Sequence, residues 1–215
     1  MKRSSRGVLC LLVAGLALVA AACSEDKGHS MGEGAALGRV ELKEDMRALW
    51  EDHVTWTRIV IVSAAADLPD FQVAVGRLLR NQEDIGNAVK PFYGEAAGSQ
   101  LTALLKDHIA IAGELLVAAK AGDAAAQANA GTRWYANADD IAQFLAQANP
   151  DHWPEDEMTS MMHAHLDLTL QEATARLTGD WANDVAAYDK VVAEILKMSD
   201  MLTDGLVAQF PGRFS

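Results

Sequence analysis

Three histidines, His53, His108 and His165, stand 55 and 57 residues apart, and five methionines fall in two short stretches: Met158, Met161 and Met162, then Met198 and Met201. Imidazole nitrogen and thioether sulfur are the side chains that soft transition metals prefer. Cu(I) takes both, and imidazole also suits Zn(II). Each of the three histidines is followed 14 or 15 residues later by an aspartate in turn-forming sequence, Asp67, Asp123 or Asp180. Spacing this regular suggests three copies of one helical hairpin. Residues equidistant from the turn of an antiparallel hairpin share a level. Reflection about the three turns places His53 level with Asp84, His108 with Asn137 (Asp140 one turn away) and His165 with Glu194. About the third turn, Met161 reflects onto Met198 and Met158 onto Met201. The candidate metal ligands are therefore His53, His108, His165, Asp84, Glu194, Met162 and Met198, with copper or zinc as the candidate ion.

A structural role competes with this one. A buried neutral histidine is often a hydrogen-bonded core residue, and methionine is a flexible filler between irregular helices. The carboxylate-bundle signature, Glu-x-x-His on two helices, is absent from the sequence. His163 and His165 diverge on a helix, so only one of them can face the methionines. No catalytic residue is assigned. Gly94 to Gly98 lacks the lysine and hydroxyl of a phosphate loop, and Ser63, Ser99, Ser160 and Ser199 have no nucleophile-elbow context. A metal-dependent enzyme is the third possibility and requires an open coordination position.

Long helices must position these side chains. Strand signals are nearly absent, since the one β-branched cluster, Ile59 to Val62, sits inside a helical pattern. Gly122-Asp123 and Gly179-Asp180 each combine a helix stop with an N-cap, and Pro154 before three acids is a helix start. The punctuation predicts helices near 39–66, 70–92, 95–121, 123–148, 154–178 and 180–209. His53 lies on an apolar stripe with Met46, Leu49, Trp56 and Val60, and His108 lies on another with Leu101, Leu104 and Leu115. The predicted fold class is all-α: an antiparallel up-and-down bundle of about six helices in three hairpins, occupying residues 39–212.

The N-terminus carries an address. Lys2, Arg3 and Arg6 precede the apolar run Val8 to Ala22, which has the length of a secretory signal rather than of a membrane span. The run ends in Val19-Ala20-Ala21-Ala22-Cys23, small residues before a cysteine as in a bacterial lipoprotein box, although Ala20 stands where that box usually has leucine. Simple cleavage after an Ala-x-Ala site is the alternative. Residues 1–22 are thus expected to be a signal peptide and Cys23 the lipidated residue. Residues 23–38, polar and rich in glycine, would form a tether. Ser24 after the cysteine resembles outer-membrane sorting, so the expected place is the periplasmic face of the outer membrane in a Gram-negative cell.

The chain of 215 residues has 18 basic and 30 acidic residues and a net charge of −12. Removing residues 1–22 takes away three basic residues and no acid, which leaves 15 against 30 and a net charge of −15. Such a balance argues against a nucleic-acid partner. Two cysteines, one of them inside the signal, exclude a disulfide scaffold.

The runs Leu78-Leu79-Arg80-Asn81-Gln82-Glu83-Asp84-Ile85-Gly86-Asn87, Pro91-Phe92-Tyr93-Gly94, Trp134-Tyr135-Ala136-Asn137-Ala138-Asp139, and Asp200-Met201-Leu202 with Gln209-Phe210-Pro211 resemble a bacterial family of small exported all-helical proteins. The resemblance covers about residues 45–212. It implies an architecture and transfers no activity, because none is established for that family. The expected function is that of an extracytoplasmic binding or accessory protein, anchored to a membrane by lipid, with a transition metal as the candidate ligand. A structural envelope lipoprotein with a protein partner is the alternative.

Overall fold

The computed structural model describes residues 38–214. The signal segment, Cys23 and most of the tether lie outside the described residues. Five helices follow one another: α1 (Arg39–Ala65), α2 (Phe71–Ala121), α3 (Ala124–Ala148), α4 (Glu155–Thr178) and α5 (Trp181–Gln209), with a closing 3-10 turn at Pro211–Arg213. The fold is all-α, and no strand occurs among the described residues. No helix among them is long and apolar enough to cross a membrane.

The two helices expected at 70–92 and 95–121 are the two halves of α2, which follow each other with no intervening loop and are separated by a break in helical geometry at Gly94. Gly94 has φ 86° and ψ 170°, a conformation open to glycine and costly for any residue with a Cβ. The chain then folds back on itself. Lys106 Nζ reaches Glu83 at 2.5 Å across the fold. Gly86 and Gly98 meet where the halves come closest. A Cβ on Gly86 would lie 2.7 Å from the Gly98 carbonyl oxygen, and one on Gly98 would lie 2.6 Å from that of Gly86.

The helix ends obey the local chemistry expected of them. Gly122 (φ 70°) and Gly179 (φ 75°) close α2 and α4 in the left-handed region. Asp123 then accepts from the amides of Ala125 and Ala126, and Asp180 accepts from that of Asn183. Pro154 precedes α4, whose first turn carries Glu155, Asp156 and Glu157 on the positive end of the helix dipole.

Around the bundle, α1 packs on α2, α2 on α3, α3 on α4, α4 on α5, and α5 returns to α1. The two ends differ. At the end away from the turns at 66–70, 122–123 and 179–180, aromatic rings close the axis. Phe92 lies 5.5 Å from Phe210 and 6.0 Å from Phe214, and Tyr93 lies 6.0 Å from the buried Trp153. Tyr93 Oη donates to Gln209 at 2.5 Å, Gln209 donates to the Ala148 carbonyl, and Asn149 donates to that of Gly205. At the turn end the core thins to the small cluster Val60, Ala74, Leu78 and Ile109.

Candidate metal centre

Helix periodicity puts one histidine of each facing pair of segments on the inner stripe. His53, His108 and His165 are all buried, at 4, 4 and 5% exposure. Each anchors Nδ1 on a polar side chain 29 residues further along the chain. His108 Nδ1 lies 2.7 Å from Asn137 Oδ1, His165 Nδ1 lies 3.1 Å from Glu194 Oε2, and His53 Nδ1 lies 3.2 Å from Gln82 Nε2. Two of the three expected pairings, with Asn137 and Glu194, are therefore present. The third is not. Gln82 takes the place assigned to Asp84, two residues away, and Asp84 is exposed.

The partners fix the tautomers. A carbonyl or carboxylate oxygen can only accept, so His108 and His165 carry the proton on Nδ1 and present a lone pair at Nε2. Gln82 donates instead. Its Nε2 also lies 2.9 Å from the Leu78 carbonyl and 3.1 Å from Asn81 Oδ1, so two hydrogens are shared among three acceptors, and these oxygens hold the amide nitrogen on this side. His53 therefore accepts at Nδ1 and carries its proton on Nε2. Asn81 is itself held by donating to the Leu49 carbonyl at 2.9 Å.

All three rings line one cavity of about 40 Å³, enclosed also by Met162, Met198, Trp50 and Trp153. A volume of roughly 10–15 Å³ accommodates one water-sized species, so the space admits an ion or a few waters and no organic ligand of size. His53 and His165 have ring centroids 5.8 Å apart. Burial, reinforced by His165 and His108, lowers the His53 pKa to about 3. Burial also outweighs the Asn137 hydrogen bond and lowers His108 to about 4. Both rings are neutral at physiological pH, the state in which imidazole ligates a metal.

Of the seven candidate ligands, five reach the cavity wall: His53, His108, His165, Met162 and Met198. Glu194 stands behind His165 and orients it, and Asp84 faces away. No group of three or more His, Cys, Asp or Glu side chains among the described residues is placed to hold one metal ion. His163 diverges from His165 as helix geometry requires and pairs with Asp139 at 2.7 Å.

Sequence reasoning missed Gln82, because reflection about a turn fixes a level only to within a turn of helix. It also missed a buried ionic network toward the turn end. Arg58 binds both Glu172 and Asp184, each 1% exposed, and Arg176 binds Asp184 at 3.1 Å. Burial raises the Glu172 pKa above the ordinary carboxylate value. At Asp184 burial acts in the same direction, but Arg58 and Arg176 outweigh it and hold the carboxyl below that value.

No protein-family model, curated protein or solved structure matches the chain.

Proposed function

We propose that the protein is an exported, lipid-anchored binding protein of the cell envelope that holds a single Cu(I) ion in the histidine–methionine cavity. The carrying observation is that His108 and His165 are both held through Nδ1, which leaves Nε2 outside those bonds, and that both rings line a cavity together with Met162 and Met198. Outer-sphere anchoring of this kind is what orients metal-bound histidines in general. The charge balance favours a monovalent ion: among the described residues the carboxylate hydrogen-bonded to the layer is Glu194, behind His165, and a second positive charge in the apolar cavity would have little to balance it. Soft sulfur in place of a third nitrogen or oxygen ligand also selects Cu(I) over Zn(II). His53, with its proton on Nε2, is a donor beside the site rather than a third ligand.

The architecture belongs to the same proposal: three antiparallel hairpins, each contributing one histidine and its partner 29 residues on, arranged as a repeat. Export and lipidation rest on the basic n-region, the apolar run and the small residues before Cys23.

One observation favours a purely structural layer. The three Nε2 atoms offer one donor and two acceptors, which a single buried water would satisfy. Metal analysis separates the two. After challenge with Cu(I) and with Zn(II) and desalting, the protein is expected to retain about one equivalent of copper and little zinc, with a raised Tm. His108→Ala and Met162→Ala are expected to lower copper retention. Absence of retained copper, or undiminished retention in both variants, would leave the layer as packing.

A further inference from the structure

A second cavity lies on the turn side of the histidine layer, and nothing in the metal proposal uses it. It occupies about 460 Å³ between α1, both halves of α2, α3 and α4. Volumes of roughly 300–1,000 Å³ are typical of small-molecule sites, and an α-helix about 10 Å across would not enter. We propose that this chamber binds a single linear aliphatic chain, the acyl chain of an amphiphile whose headgroup carries no negative charge.

Four features specify that occupant. The wall is mainly aliphatic, built by Val60, Ile61, Leu78, Ile109, Leu116 and Leu170, and its polar members Gln72, Glu114, Gln127 and Thr174 are exposed residues at the rim. Thr57 and Thr169, on its inner boundary, spend their hydroxyls on the carbonyls of His53 and His165 and so place no demand on a ligand. From Ile109 to Ala119 the wall follows α2 for ten residue steps, roughly 15 Å at 1.5 Å per residue, an elongated space. At its outer end Val117, 58% exposed, is both wall and surface. The turns at that end carry Asp67, Asp70 and Asp123 against Lys120, which is paired with Asp67, and the remaining excess of acid disfavours an anionic headgroup.

Gly113 lies on the wall, and a Cβ there would meet nothing within 4 Å. An unfilled apolar cavity forfeits contacts on every side, and a hydrocarbon chain restores them. Gly113 thereby supplies a test in which folding and binding change in opposite directions. A leucine at this position fills the chamber and also removes a helix-interior glycine, so the variant should be at least as stable as the parent while losing the ligand.

The experiment is calorimetric titration of the purified protein with monoacylglycerols from octanoyl to hexadecanoyl, each kept below its critical micelle concentration. Trp134 on the chamber wall gives a second, fluorescent signal. Saturable one-to-one binding is expected, tightening with chain length to a plateau and accompanied by a negative heat-capacity change. Gly113→Leu is expected to weaken it at least tenfold with an unchanged or higher Tm. Ala173→Leu, on the α4 wall, should do the same. No saturable binding, binding without chain-length dependence, or full affinity in the stable Gly113→Leu variant would each overturn the proposal. Copper content does not enter any of these readouts, so the chamber and the metal centre stand or fall separately.

Discussion

His53 and His108 are the residues at which burial does most to the chemistry. Their pKa values of about 3 and about 4 lie below the ordinary 6.5 that the unfolded chain recovers. As pH falls through 6.5 the unfolded chain takes up two protons that the folded chain refuses, so stability is lost from 6.5 downward. The loss levels off only where the folded rings themselves protonate. At about 1.4 kcal/mol per pH unit for each proton, roughly 4 kcal/mol should disappear between pH 7 and pH 5. Asp184 and Asp200, whose carboxyls are held low, add to the loss only below about pH 5, where unfolded carboxylates begin to protonate. Glu172 acts in the opposite sense, since its raised pKa makes the folded state take up a proton first. Urea unfolding at pH 7, 6 and 5 measures the window, and a flat stability across it would contradict the buried neutral histidines. The histidines themselves were legible in the sequence through stripe and spacing. Gln82 was not, because reflection about a turn locates a level only to within a turn of helix, and Asp84 and Gln82 both fall inside that margin.

At the scale of elements, the sequence carries the helix boundaries because the signals are local. Glycine in the left-handed region followed by an aspartate cap ends α2 and starts α3, and the same pair joins α4 to α5. The reversal at Gly94 was legible as punctuation for the same reason. Its tightness was not, since it depends on two glycines twelve residues apart meeting across the fold. A methyl group on Gly86 would press on the Gly98 carbonyl and on Thr102, neither of which is the free end of a long side chain. Gly86→Ala is therefore expected to destabilise the protein by about 1–3 kcal/mol despite alanine's better helix propensity. Thermal or urea unfolding checks this. A neutral or stabilising Gly86→Ala would contradict the close approach of the two halves of α2 at Gly86 and Gly98.

For the molecule as a whole, the cyclic order of helix contacts explains both cavities. Helices arranged around a common axis leave space along it unless large side chains fill that space. Aromatic rings fill the end around Trp153, and three imidazoles with two thioethers line the middle. Toward the turns the lining is aliphatic, and Gly113 leaves its part of the wall bare. None of this axial sequence of fillings is readable from helix stripes, because a stripe shows which face is buried and not how far the opposite wall stands. The Arg58–Glu172–Asp184 network was hidden for the same reason: its members come from α1, α4 and α5, and each taken alone looks like an ordinary charged residue on a helix.

The central claim is that two hairpins deliver imidazoles of one fixed tautomer, with free Nε2 lone pairs, to a cavity shared with methionine sulfur. Ring-nitrogen NMR of the ¹⁵N-histidine-labelled protein reads this directly, before and after one equivalent of Cu(I), a diamagnetic ion. The account predicts the Nδ1–H tautomer at His108 and His165 and the Nε2–H tautomer at His53. Copper should then move the Nε2 resonances of His108 and His165 and leave Nδ1 of His53 hydrogen-bonded to Gln82. Nε2–H tautomers at His108 and His165, or ring nitrogens indifferent to copper, would contradict it.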